Sequence, residues 1–374
     1  MAAGVLLAAC GSAGSPASSP AAASGTAASA SAAGGTAASA SWDETVAAAK
    51  QEGTLVLTMS PGDTFRDWIA DFQKAYPGIN VQLTQQNGGD FVSRITPERQ
   101  SGKFLWDAYA GGAETAYKSL RPAGFLDPLR PVIVRPELLD DSKWIGGFQA
   151  GFVDKDGQYV YDVEADVIPT VHVNRDVLPE NQLSQVEDIT DPKWKGKLAM
   201  FDPRIAGNGS ATAGHLVMVK GEDWWRQVLA QQPAITSDYR QEVEWLVRGQ
   251  YPIALAANNR IIPEFQKQGL GQNVKPLAFD SDMGHRLNQS IALGAINQRP
   301  HPNAAAVFVN WAMSQEAQTS FVNATQLSSR RIDVPAGMPG TAPDPKVKYL
   351  PSVNQESSDQ YISQAQQIAK EGLQ

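Results

Sequence analysis

The 374-residue chain predicts an α/β fold with mainly parallel sheets, and three observations carry that reading. Thr54-Leu55-Val56-Leu57-Thr58 is a compact apolar run of strand length. After the turn Ser60-Pro61-Gly62-Asp63-Thr64, the residues Phe65, Trp68, Ile69 and Phe72 recur at helical spacing. Pro77-Gly78 stops that helix before a second strand at 79–83. Strand, helix and strand within about 30 residues make a βαβ unit, whose crossover leaves the two strands parallel.

The same alternation continues in both directions. Trp42-Asp43-Glu44 with Val46, Ala49 and Lys50 predicts an opening helix that ends at Gly53. Residues 91–100 read as a helix and 106–109 as a strand running into Gly111-Gly112. Residues 114–120 are helical, and Gly124-Phe125-Leu126 closes that unit before a long loop through Pro131 and Pro136. Strands are expected at 159–163, 167–173, 198–201, 252–257 and 290–296. Helices are expected from 211, over 224–229 and 241–248, over 303–313 with 316–322 continuing it, and over 358–371. No internal repeat is visible.

Composition bounds the function. Hydrophobic residues are 42% and charged residues 19% of the chain, enough for a sizeable core. A formal net charge of −8 argues against nucleic acid as a partner, which requires a basic surface. A single cysteine excludes an internal disulfide framework. That thiol, Cys10, follows Leu7-Ala8-Ala9 at the end of an uncharged apolar run. An aliphatic residue, two small residues and cysteine form a pattern similar to a bacterial lipobox, in which the thiol carries a lipid. Nine residues fall short of the roughly 20 that span a bilayer. A secretory leader opens with a basic segment and none precedes this one, so the expected reading is a start placed inside a longer leader. Residues 11–41 contain only Gly, Ser, Ala, Pro and Thr. They bury too little apolar surface to offset their ordering entropy, and are expected to form a disordered linker spanning ~30 Å.

Several ordered segments together resemble a known family. They are Lys50-Gln51-Glu52-Gly53 before the Leu55-Val56-Leu57 strand, and Leu120 to Leu126 before Asp127-Pro128-Leu129. The most specific is Asp188-Ile189-Thr190-Asp191-Pro192-Lys193-Trp194-Lys195-Gly196-Lys197. The stretch from Gly249 to Leu255 and Asn303-Ala304-Ala305-Ala306 with Phe308-Val309-Asn310-Trp311 complete the set. From about residue 42 to about 325 the chain resembles the extracellular solute-binding proteins of ABC importers (family 1), in the branch of ferric-iron-binding proteins.

The resemblance implies a type II-like periplasmic-binding-protein fold of two lobes, each a mainly parallel sheet flanked by helices, joined by two crossing hinge strands. The expected division is 1–10 leader remnant and lipobox, 11–41 linker, 42–160 first part of lobe 1, 161–282 lobe 2, and 283–374 the return of lobe 1 with the C-terminal helix. The crossings are expected near 159–168 and 279–288. The implied partners are a small-molecule ligand, an ABC transporter permease, and the cell membrane through a lipid on Cys10. The protein is expected to be an extracytoplasmic monomer without cofactor, resident metal or enzymatic activity. Whether its compartment is a periplasm or a cell surface stays open.

In ferric-binding members, two adjacent tyrosines after the strand corresponding to 252–257 hold the iron. Asn259 and Arg260 stand in their place here. Neutral amide and guanidinium groups are poor ligands for a hard trivalent metal. Arginine instead gives paired charge-assisted bonds to planar anions. The expected ligand is therefore a small organic or phosphorus-containing anion bound through Arg260 or Arg204. Ser60, Asp63 and Thr64, then Gly112, Glu114 and Thr115, then Asn208 and Ser210 are the candidate supporting residues, on loops that each precede a helix. Arg204 has an alternative as the ion-pair partner of a neighbouring acid at the Asp202-Pro203-Arg204 turn. Asn258 has one as a cap of the strand's end. Tyr161, Tyr239 and Asp282 are candidates to face the cleft and are equally readable as packing or surface residues.

Enzymatic readings lack a constellation. His172, His215, His285 and His301 are far apart without ligand spacing, and His172 sits in an apolar strand. Gly207-Asn208-Gly209-Ser210 is not a nucleophile elbow, and neither a P-loop nor a dinucleotide fingerprint is present. The remaining alternatives are a ferric-iron-binding protein of the same family, a ligand-sensing receptor subunit, and a surface hydrolase on a borrowed fold.

Overall fold

Ser41 caps the first helix through the reciprocal pattern its sequence encodes: its hydroxyl accepts from the Glu44 N–H while the Glu44 carboxylate accepts from the Ser41 N–H. This computed structural model describes residues 41–373, except 206, 278–285, 289–290, 339, 347–348 and 350–355. The Cys10 lipobox, the linker up to residue 40, Asp282, His285 and most of the second expected crossing lie outside the described residues.

Helix α1 (Trp42–Glu52) ends at Gly53, whose left-handed φ of 69° closes the turn into β1 (Thr54–Met59). Then come α2 (Asp63–Ala75), β2 (Asn80–Gln85), α3 (Gly88–Gln100) and β3 (Ala108–Gly111). A single turn, α4 (Ala113–Thr115), continues as a π-helical turn over Ala116–Leu120, and β4 is Leu126–Asp127. β5 (Tyr161–Asp162), β6 (Asp166–Ile168) and β7 (Val171–Asn174) carry the chain out of this sheet.

The next elements are β8 (Leu198–Phe201), α5 (Asn208–Lys220), α6 (Glu222–Ala230), β9 (Ala234–Thr236), α7 (Tyr239–Val247), β10 (Ile253–Leu255), α8 (Ile262–Gln266) and β11 (Val274–Pro276). The chain returns through β12 (Arg286–Asn288) to β13 (Ala292–Ile296), then α9 (Pro302–Ala312), α10 (Gln315–Thr325) and α11 (Asp359–Gly372).

The strands form two sheets. The first runs β2-β1-β3-β13-β4 with β5 also on β13, and the second runs β11-β7-β10-β8-β9. Between them β6 and β12 make a separate antiparallel pair, with Asp166 opposite Asn288 and Ile168 opposite Arg286. Both sheets are mixed rather than mainly parallel. β1 pairs parallel with β2 and β3, and β8 with β9 and β10, because helices cross over between them. β7 and β13, which enter directly from the crossing segments, pair antiparallel with β10 and β3.

Each sheet has its own core. In the first lobe Leu55 and Leu57 meet Trp68, Phe72, Phe308, Trp311 and Phe321, all at most 2% exposed. Trp68 stacks on Trp311 at 5.3 Å and donates its indole N–H to the Ala317 carbonyl. Full burial of side chains this size contributes about 2–3 kcal/mol each from apolar surface. Helix α9 is apolar nearly all round and accordingly central. Its one buried amide, Asn310, accepts from the Val134 and Arg135 N–H groups and so pins the long loop. Glu52 accepts from the N–H groups of Asn303 and Ala304, so two segments of the resemblance meet at the start of α9. The 188–197 segment is a pair of 3₁₀ turns: Asp191 caps Lys193, Trp194 is buried and Gly196 turns the chain into β8.

Three further features depart from the expected layout. The expected continuous helix over 303–322 is two helices, because the Ser314 hydroxyl accepts from the Ala317 N–H and starts α10 afresh. β9, α8 and β11 are additional elements. Helix α11, expected with the return of lobe 1, packs in the core of the second sheet. Ala365, Ile368 and Ala369 bury there beside Trp225, whose indole donates to the Ala365 carbonyl.

Candidate solute-binding site

In a sheet of parallel strands, the loops leaving the carboxyl ends gather on one edge, and ligands bind there. In the first lobe β1 lies between β2 and β3, so the loops and helix starts at 60–62, 86–89 and 112–115 are neighbours. The Ser60 N–H donates to the Ala110 carbonyl at 3.0 Å, fixing the first loop to the third. Gln85 holds the first loop to the second, donating to the carbonyls of Ser60 and Gly62 at 3.2 and 2.7 Å. The start of α3 presses on the third: a Cβ on Gly88 would lie 1.9 Å from the Thr115 hydroxyl. Tyr109 donates to the Gly112 carbonyl at 2.9 Å, and burial pushes its phenol up. Ser60, Gly112 and Thr115 are thus brought together. Asp63 and Glu114 are exposed and paired along their own helices with Arg66 and Lys118, and Thr64 is exposed.

The second lobe assembles a tighter set. Gly207 holds a φ of 142° and passes so close to Tyr239 that a Cβ would lie 2.7 Å from the phenol oxygen. The Tyr239 ring stacks on Phe201 at 3.9 Å, and its hydroxyl accepts from the Asn208 N–H at 3.2 Å. Ser210 is buried and donates to the Gly207 carbonyl. Arg204 makes a two-point fork with Asp202 at 2.9 and 2.8 Å, which holds that carboxyl below the usual range. Its guanidinium is therefore engaged at the turn, as the alternative reading of Asp202-Pro203-Arg204 has it.

Arg260 is differently placed. β10 is followed by Ala256, whose φ of 72° is a strained conformation for a residue with a side chain and is held by an N–H bond to the Thr170 carbonyl. Asn258 then accepts from the Arg260 N–H in a local turn. The Arg260 side chain is 49% exposed and reaches Asp166 of β6 at 3.5 Å. Asp166 is 6% exposed; burial pushes its carboxyl up, opposed by the Ser328 N–H donating at 2.7 Å. Asn259 beside it is partly exposed.

Among the described residues no three His, Cys, Asp or Glu side chains converge as a metal-ligand group. His172 lies in the middle of the second sheet opposite Ala254 and Pro276, and burial pushes its imidazole down to about 4, which keeps it neutral. Tyr161 is a core residue stacked on Phe148. One surface hollow of the first lobe, of about 350 Å³ and lined by Thr45, Asp127, Arg299 and Asn303, lies by α1 and α9 rather than by these loops. Sequence reasoning missed the 86–89 loop and Asp166. The Asn87-Gly88-Gly89 run after a strand was a signal for the first; nothing local marks the second.

The fold so described recurs in solved structures. Iron-bound HitA from Pseudomonas aeruginosa superposes with a TM-score of 0.60 at 18% identity, over 86% of this chain and 99% of that one. Trichodesmium IdiA (FutA) in complex with iron and citrate gives 0.65 at 19% identity, over 84% and 99%. The Bordetella ferric binding protein gives 0.65 at 18%, over 85% and 98%. At such identities the likeness is one of fold. No curated protein matches the sequence significantly. No helix among the described residues is long and apolar enough to cross a membrane. The family model for bacterial extracellular solute-binding proteins matches residues 53–324, well over half of the chain, and the protein belongs to that family.

Proposed function

We propose that this protein captures a small organic or phosphorus-containing anion between its two lobes and delivers it to an ABC importer, held at the membrane by a lipid on Cys10. The carrying observation is Arg260. Its half-exposed guanidinium stands at the end of β10, has one loose partner among the described residues, at 3.5 Å, and so keeps most of its five donors clear of them for an incoming ligand. The strand-end residues Ser60 and Gly112 with the helix start at Thr115 in one lobe, and the start of α5 at Asn208 and Ser210 in the other, supply further donors, while the engaged Arg204 braces the turn beside them. The role is capture without turnover.

A second reading is ferric iron, alone or with an accompanying anion, favoured by the ferric-binding proteins that share the fold. A thermal-shift screen over carboxylates, phosphonates, sugars, polyamines and ferric salts separates the two, since a ligand that binds the folded state raises the melting temperature by mass action. A carboxylate or phosphonate is expected to raise it in the wild type and not in Arg260→Ala. A strong ferric response with none from organic anions would overturn the anion reading.

A further inference from the structure

The Arg260–Asp166 pair has an unusual balance. Among the described residues other guanidinium–carboxylate pairs with a partly buried member are shorter: Arg331–Asp333 and Arg299–Asp127 at 2.7 Å, Arg204 forked on Asp202, and Arg94–Glu98 at 3.2 Å. Arg260 meets Asp166 through one nitrogen at 3.5 Å, with half of its own side chain in solvent. The two groups also differ in freedom. Arg260 ends a long side chain at the mouth of β10, whereas Asp166 sits on the hinge strand β6 with Oδ1 fixed by the Ser328 N–H at 2.7 Å. Its Oδ2 is the atom turned to the guanidinium.

A fixed carboxylate beside the arginine cancels much of the field that a simple anion would meet, and repels that anion directly. A ligand with a positive group next to its negative one meets neither penalty. Its anionic end takes the free donors of Arg260, and its cationic end takes the Asp166 oxygen that Arg260 holds only loosely. From this geometry we propose that Asp166 is a specificity-determining residue, and that the cleft selects zwitterionic solutes carrying an ammonium or similar cation close to a carboxylate or phosphonate. This rests on the anion reading of Arg260 and narrows it. Because Asp166 belongs to the hinge and Arg260 to the second lobe, such a ligand also ties the lobe to the crossing strand it must move against.

The test uses matched probes that differ by one ammonium group: aminomethylphosphonate against methylphosphonate, and β-alanine against propionate, titrated by calorimetry. The wild type is expected to bind the zwitterion of a responding pair at least about tenfold more tightly. In Asp166→Asn the zwitterion is expected to lose about tenfold and the simple anion to gain, so that the preference disappears or reverses. Equal binding of both members by the wild type overturns the role of Asp166 and leaves the anion reading intact. An equal loss for both members in a folded Asp166→Asn also overturns it, since a purely structural residue gives that result. If no member of either pair binds while ferric citrate does, both the proposal and the reading beneath it fall. The wild-type comparison stands even if the variant does not fold.

Discussion

The last helix joins the two lobes, and its attachment makes a quantitative prediction. Ile362 lies flush on Gly214 of α5, Ala365 takes the Trp225 indole, and Ile368 and Ala369 are buried, so the body of α11 belongs to the second lobe. Its leading residues grip the first. The Glu356 carboxylate accepts from Arg121 at 2.7 Å and from the Lys155 N–H at 2.8 Å, the Glu356 N–H donates to the Val153 carbonyl, and Asp359 pairs with Lys118 at 2.5 Å. The combined variant Glu356→Gln with Asp359→Asn removes both charges and leaves the helix body unaltered.

The Arg121–Glu356 pair is about one-fifth exposed on each side and is worth about 1 kcal/mol of charge assistance. The Lys118–Asp359 pair is over a third exposed on the lysine, so solvent screening leaves about 0.5 kcal/mol. Their sum, about 1.5 kcal/mol, is roughly a tenfold rise in the population of the unclasped end. Amide hydrogen exchange reads that population directly. Amides of 356–362 are expected to exchange about tenfold faster in the variant, with 364–372 unchanged, and high salt should produce part of the same effect in the wild type. Unchanged exchange at 356–362 would refute the clasp. An equal acceleration along the whole helix would refute its local character, since the pairs would then serve docking of α11 as a unit.

Two further outcomes follow from buried or crowded positions. Glu242 is 0% exposed and burial holds its carboxyl well above the ordinary 4.5, so the folded state keeps a proton that the unfolded chain releases. Stability is then lost as pH rises from about 4.5 through the raised value. Glu242→Gln should remove that loss, leaving a residual slope of the same sign from buried Asp162. Urea midpoints that fall with pH equally in wild type and variant would contradict the assignment. At the start of α5, a Cβ on Gly209 would lie 2.3 Å from the Phe201 carbonyl oxygen and 2.7 Å from that of Asp202. Gly209→Ala should therefore cost about 1–3 kcal/mol and weaken binding, while Gly112→Ala, where a Cβ meets nothing within 4 Å, should melt like the wild type. Equal melting of the two variants would show that α5 does not rest on β8 as described.

What the sequence made legible follows the range of the forces involved. The opening βαβ unit is readable because Leu55, Leu57, Trp68 and Phe72 bury on periodic faces, and β8 keeps its expected limits because Gly196 and Asp202-Pro203 bound it locally. β9 and β11 are three-residue edge strands whose pairing, not composition, makes them strands. The break between α9 and α10 hangs on one serine hydroxyl inside an apolar pattern. At the site, the loops were legible as strand ends, and the Asp202–Arg204 pair because its members are two residues apart. The Arg260–Asp166 pair, 94 residues apart, exists only once the crossing strand is in place. The placement of α11 is of the same kind: a polar amphipathic helix announces that it packs, not on which lobe.

The central claim is that an anion held by Arg260 draws the two lobes together, and small-angle X-ray scattering measures it directly. With a saturating anion from the screen, the radius of gyration of the wild type should fall, and Arg260→Ala under the same conditions should keep its unliganded value. An unchanged radius with every bound anion, or a contraction by ferric citrate alone that persists in Arg260→Ala, would contradict it.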